Sequence, residues 1–144
     1  MKSDHNPVLE AALKIKLLLV DDEPEFLETL EKHLRRRKIN TSVAEGCKVA
    51  LDILEEQAID VIVMDVSMPE IDGLQCLKKV KEKWPLIEVV ILTGHASVKS
   101  GIEGMQGGAF DYCIKPIETQ ELVEKIELAG QKALINKQKA DAES

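Results

Sequence analysis

The sequence predicts an α/β fold: a doubly wound, five-stranded parallel sheet with a helix after each strand. Three observations predict it. Short apolar runs alternate with segments whose apolar residues recur at spacings of three and four, the written form of successive βαβ units. Two of the runs, 61–64 (VIVM) and 89–92 (VVIL), are apolar at every position, as strands covered on both faces are. The length, 144 residues, suits one domain rather than two.

Residues 1–13 carry no boundary signal and read as a lead-in, with a short helix over 8–13. The first strand is 15–20 (IKLLLV). It ends at Asp21, Asp22 and Glu23, and Pro24 suits the first turn of a helix whose positive end favours those acids. Leu27, Leu30 and Leu34 form the apolar stripe of that helix, and Arg35, Arg36, Arg37 and Lys38 close it. A basic run there complements the helix C-terminus and is read as solvated charge, not as a nucleic-acid contact. Residues 41–44 form a short, weak strand of the kind found at a sheet edge. The helix over 46–57 turns Ala50, Ile53 and Leu54 inward. Strand 61–64 runs into Asp65 and the loop VSMPEIDG. The helix over 73–84 aligns Leu77, Val80 and Trp84, and Pro85 stops it. Strand 89–92 ends at Thr93 and Gly94. Val98, Ile102 and Met105 make the next helical stripe. It is weakened by Gly101, Gly104, Gly107 and Gly108, each costing roughly 1 kcal/mol relative to Ala in a helix interior, so this helix is easy to shift. Strand 110–114 ends at Lys115 and Pro116. The last helix opens at Thr119, its cap, and packs through Leu122, Ile126, Ala129 and Ala133. Residues 136–144 (NKQKADAES) read as a frayed polar tail. The expected organisation is therefore a lead-in over 1–13, one domain over 14–135 and a tail over 136–144.

Composition narrows the function. The formal charge is −7, so the chain repels nucleic-acid phosphates and anionic lipid surfaces. Four aromatic residues are too few for base-stacking platforms. No apolar run approaches the roughly 20 residues of a membrane span, and MKSDHNP lacks the apolar core of a secretory signal. The expectation is neither direct nucleic-acid binding nor a membrane association. Cys47, Cys76 and Cys113 are odd in number and widely spaced. They form no CxxC pair and no disulfide framework, and a reducing cytoplasm is the expected compartment.

In open parallel sheets the ligand site lies beyond the carboxyl ends of the strands. That rim collects Asp21 and Asp22 after the first strand, Asp65 after the third, Thr93 after the fourth and Lys115 after the fifth. Carboxylates so close raise one another's pKa unless a cation compensates. Oxygen ligands of this kind suit Mg²⁺, which binds through one or two carboxylates and keeps several waters; Mn²⁺ is a possible substitute. A metal, a lysine and a hydroxyl together suit a phosphoryl group, and a carboxylate among them can act as its nucleophile.

The segments LLLVDDE, VIVMDVSMPEIDG, VVILTGHAS and DYCIKP resemble the signature segments of the receiver domain of two-component response regulators, over roughly residues 14–135. The resemblance implies a (βα)5, flavodoxin-like sheet with strand order 2-1-3-4-5. It also implies roles. Asp65 would accept a phosphoryl group from a sensor histidine kinase or a phosphotransfer protein. Asp22 would be the main metal ligand, with Asp21 shaping the pocket and binding the metal partly through water, Asp65 a further ligand, and the backbone carbonyl of Ser67 completing the protein ligands. Thr93 would hydrogen-bond the phosphoryl group and Lys115 would pair with it, through a Lys115–Pro116 bond that would be cis. Tyr112 would be the switch residue, and Gly94 the small residue above the phosphoryl group. Ser67 and His95 occupy positions that modulate phosphoryl lifetime. Phosphorylation would shift the surface of the fourth helix, fifth strand and fifth helix toward binding a downstream protein or effector domain, or a second copy of the chain. Such a domain is not an enzyme; at most it phosphorylates itself from small phosphodonors and dephosphorylates itself.

Singly, each motif has a plainer reading: acids at a helix start, a hydroxyl at a strand end, a Lys-Pro turn. Their meeting at one rim outweighs these readings. A flavodoxin-type cofactor binder would need a Ser/Thr/Gly-rich phosphate loop where Asp21, Asp22, Glu23 and Pro24 stand. A phosphatase with an aspartate nucleophile would place it after the first strand with a second aspartate two positions on, and would need a cap domain. His5 and His33 are read as surface groups, Cys76 and Cys113 as small apolar residues, and Trp84 as packing.

Overall fold

A computed structural model describes residues 14–66, 73–94 and 98–143, with backbone only at 98–100. The elements are β1 (Lys16–Val20), α1 (Pro24–Arg36), β2 (Asn40–Ala44), α2 (Cys47–Glu56), β3 (Val61–Asp65), α3 (Gly73–Lys83), β4 (Glu88–Thr93), α4 (Val98–Gln106), β5 (Asp111–Ile114) and α5 (Thr119–Glu143). The five strands form one sheet in the order β2-β1-β3-β4-β5, and every pair is parallel. The strand alternation divides the core into two layers. Leu17 and Leu19 join Val61, Val63, Val90 and Leu92 against α1 and α5. Leu18 and Val20 join Ile62, Met64, Val89 and Ile91 against α2 and α3. The chain steps outward from β1 to β2 and then back across β1 to β3, so the carboxyl ends of β1 and β3 flank the switch point at which such sheets bind ligands.

The expected stripes of α1 and α5 hold. Leu27, Leu30 and Leu34 are buried, as are Leu122, Ile126, Ala129 and Ala133. In α2, Ala50 and Leu54 are buried and Ile53 is half-buried. The short helix expected over 8–13 lies outside the described residues.

Three expectations are corrected. First, Cys47 and Cys76 are joined as a disulfide, and Cys113 alone is free. Twenty-nine residues separate the pair in sequence, but α2 and α3 are neighbours on one face of the sheet, so their first turns meet. This removes the cysteine-based case for a reducing compartment. Second, the apolar stripe of α4 does not face the sheet: Ile102 is 51% exposed and Met105 41%. The inner face is glycine. A Cβ on Gly101 would stand 2.8 Å from the Tyr112 ring, and one on Gly104 would overlap the Ile91 side chain. The glycines of α4 thus set how closely the helix approaches β4 and β5. Third, α5 continues to Glu143 through the stretch read as a frayed tail. That stretch is rich in Lys, Gln, Ala and Glu, which favour helix without any apolar anchor.

Candidate functional site at the carboxyl rim

Backbone pairing carries the strand ends into the rim. The Asp21 N–H donates to the Ala44 carbonyl, Val66 N–H to Leu92 and Lys115 N–H to Thr93, at 3.1, 3.1 and 2.8 Å. These bonds fix where each side chain emerges. Asp21 and Asp65 are buried, at 1% and 4% exposure. Asp22 and Glu23 stand exposed beside them. Each of Asp21, Asp22, Glu23 and Asp65 offers a carboxylate oxygen, and these four oxygens lie within 4.8 Å of one another.

The Lys115 ammonium joins three of these acids. The Lys115 Nζ donates to Asp21 Oδ2 at 2.8 Å, to Glu23 Oε1 at 3.2 Å and to Asp65 Oδ2 at 3.4 Å. It also lies 4.3 Å from the centre of the Phe26 ring, a favourable seat for an ammonium. The Asp21 Oδ1 accepts the Glu23 N–H at 3.0 Å, which locks the turn into α1. The Lys115–Pro116 peptide is cis.

The two closest partners both titrate high, for opposite reasons. Burial pushes the Asp21 carboxyl above its ordinary value, and the Asp65 charge adds to this, against the hydrogen bonds from Lys115 and the Glu23 N–H. Burial works to lower Lys115, but its hydrogen bond to Asp21, the charges of Asp21 and Asp65 and the contact with Glu23 outweigh it and hold the ammonium above its ordinary value. The asymmetry is one of burial against pairing: for Asp21 burial exceeds the gain from Lys115 and the Glu23 N–H, whereas Lys115 meets three carboxylates whose combined pull exceeds its burial.

Thr93 ends β4, the strand between β3 and β5. Its side chain is fully buried, and among the described residues its hydroxyl oxygen has no hydrogen-bond partner. An orphaned buried hydroxyl is rare and points to a partner that arrives from outside. Gly94, next in the chain, has open space where a Cβ would stand. Carboxylate oxygens crowded together are the donor set a hard divalent cation takes, so Asp21, Asp22 and Asp65 fit such an ion.

The rim therefore brings together Asp21, Asp22, Asp65, Thr93 and Lys115. Tyr112 is not among them. It is half-buried on β5, packed against Gly101 of α4. Ser67 and His95 lie outside the described residues. Two contributors were missed in the sequence, Glu23 and Phe26. Glu23 carried a signal, as the third acid of its run; Phe26 carried none beyond its place in the first turn after the acids.

The chain is similar to known proteins over most of its length. The family model described as the response regulator receiver domain matches residues 17–127. The transcriptional regulatory protein ZraR of Escherichia coli K12 is 36% identical over 130 residues, covering 90% of this chain and 29% of that protein. A putative response regulator, NtrX-like, of Rickettsia felis is 29% identical over 133 residues, covering 91% of this chain and 28% of its own length. The chain thus spans less than a third of the curated relatives it matches. Among solved structures, a response regulator receiver domain protein from Clostridium thermocellum superposes with a TM-score of 0.80 at 32% identity, covering 84% of this chain and 98% of that one. The receiver domain of NtrX from Brucella abortus gives 0.76 at 25%, covering 81% and 98%. Fold, rim chemistry and relatives agree, and the chain belongs to the response regulator receiver domain family, the phosphoacceptor modules of two-component signalling.

Proposed function

We propose that Asp65 is the phosphoacceptor and that the rim catalyses its own phosphorylation. The observation that carries this is the shared ammonium: Asp65 is held 3.4 Å from Lys115, which also donates to Asp21 and Glu23 of the same carboxylate cluster. An Asp65 oxygen attacks the phosphorus of a phosphohistidine on a sensor histidine kinase or phosphotransfer protein. The phosphorus–nitrogen bond breaks, its electron pair leaves with the imidazole, and an acyl phosphate forms on Asp65. Lys115 pairs with the transferred oxygens, and the Thr93 hydroxyl gains the acceptor it lacks. Asp22, Asp21, Asp65 and the Ser67 carbonyl would hold Mg²⁺, or Mn²⁺ in its place. When bound, the ion supplies charge neutralisation at the phosphoryl oxygens.

The modification adds up to about two negative charges and three acceptor oxygens. Thr93 turns toward them, and Tyr112 follows into the space this leaves. Tyr112 lies against Gly101, so its movement changes the seat of α4 and shifts the α4-β5-α5 surface between two populations. That surface passes the signal to a downstream protein, an effector domain or a second copy of the chain. Ser67 and His95 tune how long the phosphoryl group lasts. A cytoplasmic location belongs to the same reading, since such kinases draw on ATP.

Incubation with acetyl phosphate and Mg²⁺ tests the acceptor. The intact mass is expected to rise by about 80 Da, the mass of one phosphoryl group, and Asp65→Asn to abolish the gain. Labelling of Asp65→Asn at the rate of the unaltered chain sinks the assignment.

A further inference from the structure

The Cys47–Cys76 disulfide lies where it bears on Asp65. Cys47 is the first residue of α2 and Cys76 belongs to the first turn of α3. The bond therefore ties the rim ends of two neighbouring helices, and the stretch of chain it closes contains all of β3 with Asp65 at its end. The start of α3 is seated directly on that strand end. A Cβ on Gly73 would stand 2.8 Å from the Asp65 carbonyl oxygen and would overlap the Val66 backbone. Both cysteines are buried, at 2% and 0% exposure. A thiol reagent therefore reaches their sulfurs through movement of the first turn of α2 or of α3, and α3 is the one seated on the end of β3. The third cysteine is no rival. Cys113 is free and lies in the opposite core layer, away from both.

We propose that Cys47 and Cys76 form a reversible thiol–disulfide site that clamps α3 against the Asp65 strand end, so that its redox state sets the rate at which Asp65 gains and loses a phosphoryl group. The oxidant is a low-molecular-weight disulfide of the glutathione class. One cysteine thiolate attacks it and releases the first thiolate; the second cysteine attacks the mixed disulfide and releases the second. Two electrons and two protons leave the cysteine pair, and two small thiols form. A dithiol reverses the sequence and is itself oxidised to a disulfide. The effect on rate rests on Asp65 being the acceptor; the clamp itself does not.

The full chain is equilibrated with glutathione disulfide or with dithiothreitol, denatured in iodoacetamide and weighed. One alkyl adduct is expected after oxidation, on Cys113, and three after reduction. Three adducts after oxidation overturn the site. Labelling by acetyl phosphate with Mg²⁺ is then compared between the two states, with a difference of about fivefold or more expected. Equal rates overturn the coupling, and so does an undiminished difference in Cys47→Ala/Cys76→Ala. The reduced unaltered chain serves as the comparison should that variant not fold. Amide hydrogen exchange over residues 73–77 needs no phosphoryl group and separates the two readings. Faster exchange in the reduced chain with no label in either state overturns Asp65 as acceptor and supports the clamp; equal exchange overturns the clamp.

Discussion

The two ends of the sheet, built from the same five strands, handle charge in opposite ways. At the amino ends each acid has its own partner. Asp60 Oδ2 accepts the Lys16 N–H at 2.9 Å, Asp111 Oδ2 accepts from Lys125 Nζ at 2.6 Å, and Glu88 lies 3.7 Å from Lys132 Nζ and 3.5 Å from Asn136 Nδ2. The backbone laces this end further, with Asp60 N–H bonded to Lys16 and Glu88 N–H to Asp60. At the carboxyl ends four acids lie together and three of them share the Lys115 ammonium, and a buried hydroxyl has no partner among the described residues. Buried acids alone therefore do not mark a site, since Glu88 is as buried as Asp65. The mark is the meeting of several carboxylates at one ammonium, a grouping whose charge a bound cation would complete.

The widest separation between the two ends is expected in Mg²⁺-dependent labelling. Asp22→Ala removes an exposed acid from the carboxyl end and should slow labelling by about a hundredfold, the effect of losing one stabilising contact to the transferring group. Glu88→Gln, at the amino end, should leave the rate unchanged. A slow Glu88→Gln variant that is otherwise folded would break the division. Next comes stability. Lys115→Met leaves Asp21 and Asp65 buried without their cation and should cost about 3 kcal/mol in urea unfolding without metal. Mg²⁺ should return part of that loss. A loss that Mg²⁺ leaves untouched would mean that the cluster does not bind the ion.

A smaller effect is expected with pH. Asp21 has a folded-state pKa above its ordinary 3.8, chiefly through burial. Its contribution to stability is therefore whole below 3.8 and is lost as pH rises through the raised value. Without metal, Asp21→Asn should match the unaltered chain near pH 4 and become the more stable of the two toward neutrality. The reverse order would mean that pairing with Lys115 outweighs burial. Lys115 is also raised, above 10.5, so its own contribution persists to that pH and disappears only above its folded value, outside this window.

The sequence was most legible where pattern and topology coincide. Strands 61–64 and 89–92 are apolar at every position, and the structure extends them only to Val61–Asp65 and Glu88–Thr93. Asp21, Asp65, Thr93 and Lys115 each follow or end a strand, so placing the strands placed the rim. Periodicity misled at α4, because counting apolar residues assigns Ile102 and Met105 to the core, whereas glycine carries no apolar signal and yet lines the buried face. The Cys47–Cys76 contact was not legible because a separation of 29 residues says nothing of which helices lie side by side. Phe26 beneath Lys115 depends on a meeting across about ninety positions that no local pattern encodes.

The smallest expected effect sharpens the contrast most, since it predicts a gain of stability from damage to the site. Thr93 has the shape of valine with a hydroxyl in place of one methyl. That hydroxyl is buried and lacks a partner among the described residues, so the folded chain bears its desolvation without a compensating bond. Thr93→Val keeps the volume and removes the orphan, and should raise unfolding stability by about 1 kcal/mol. The same change removes the group proposed to follow the phosphoryl oxygens, so the variant should still take label on Asp65 but lose the label-dependent change around Tyr112, read by tyrosine fluorescence or by exchange over β5. Thr41 is the control. It too is fully buried, but its hydroxyl donates to the Ile39 carbonyl at 2.9 Å, so Thr41→Val should lose stability by a similar amount. Should both valines destabilise alike, the Thr93 hydroxyl has a partner in solution, and the carboxyl rim is better balanced than its geometry indicates.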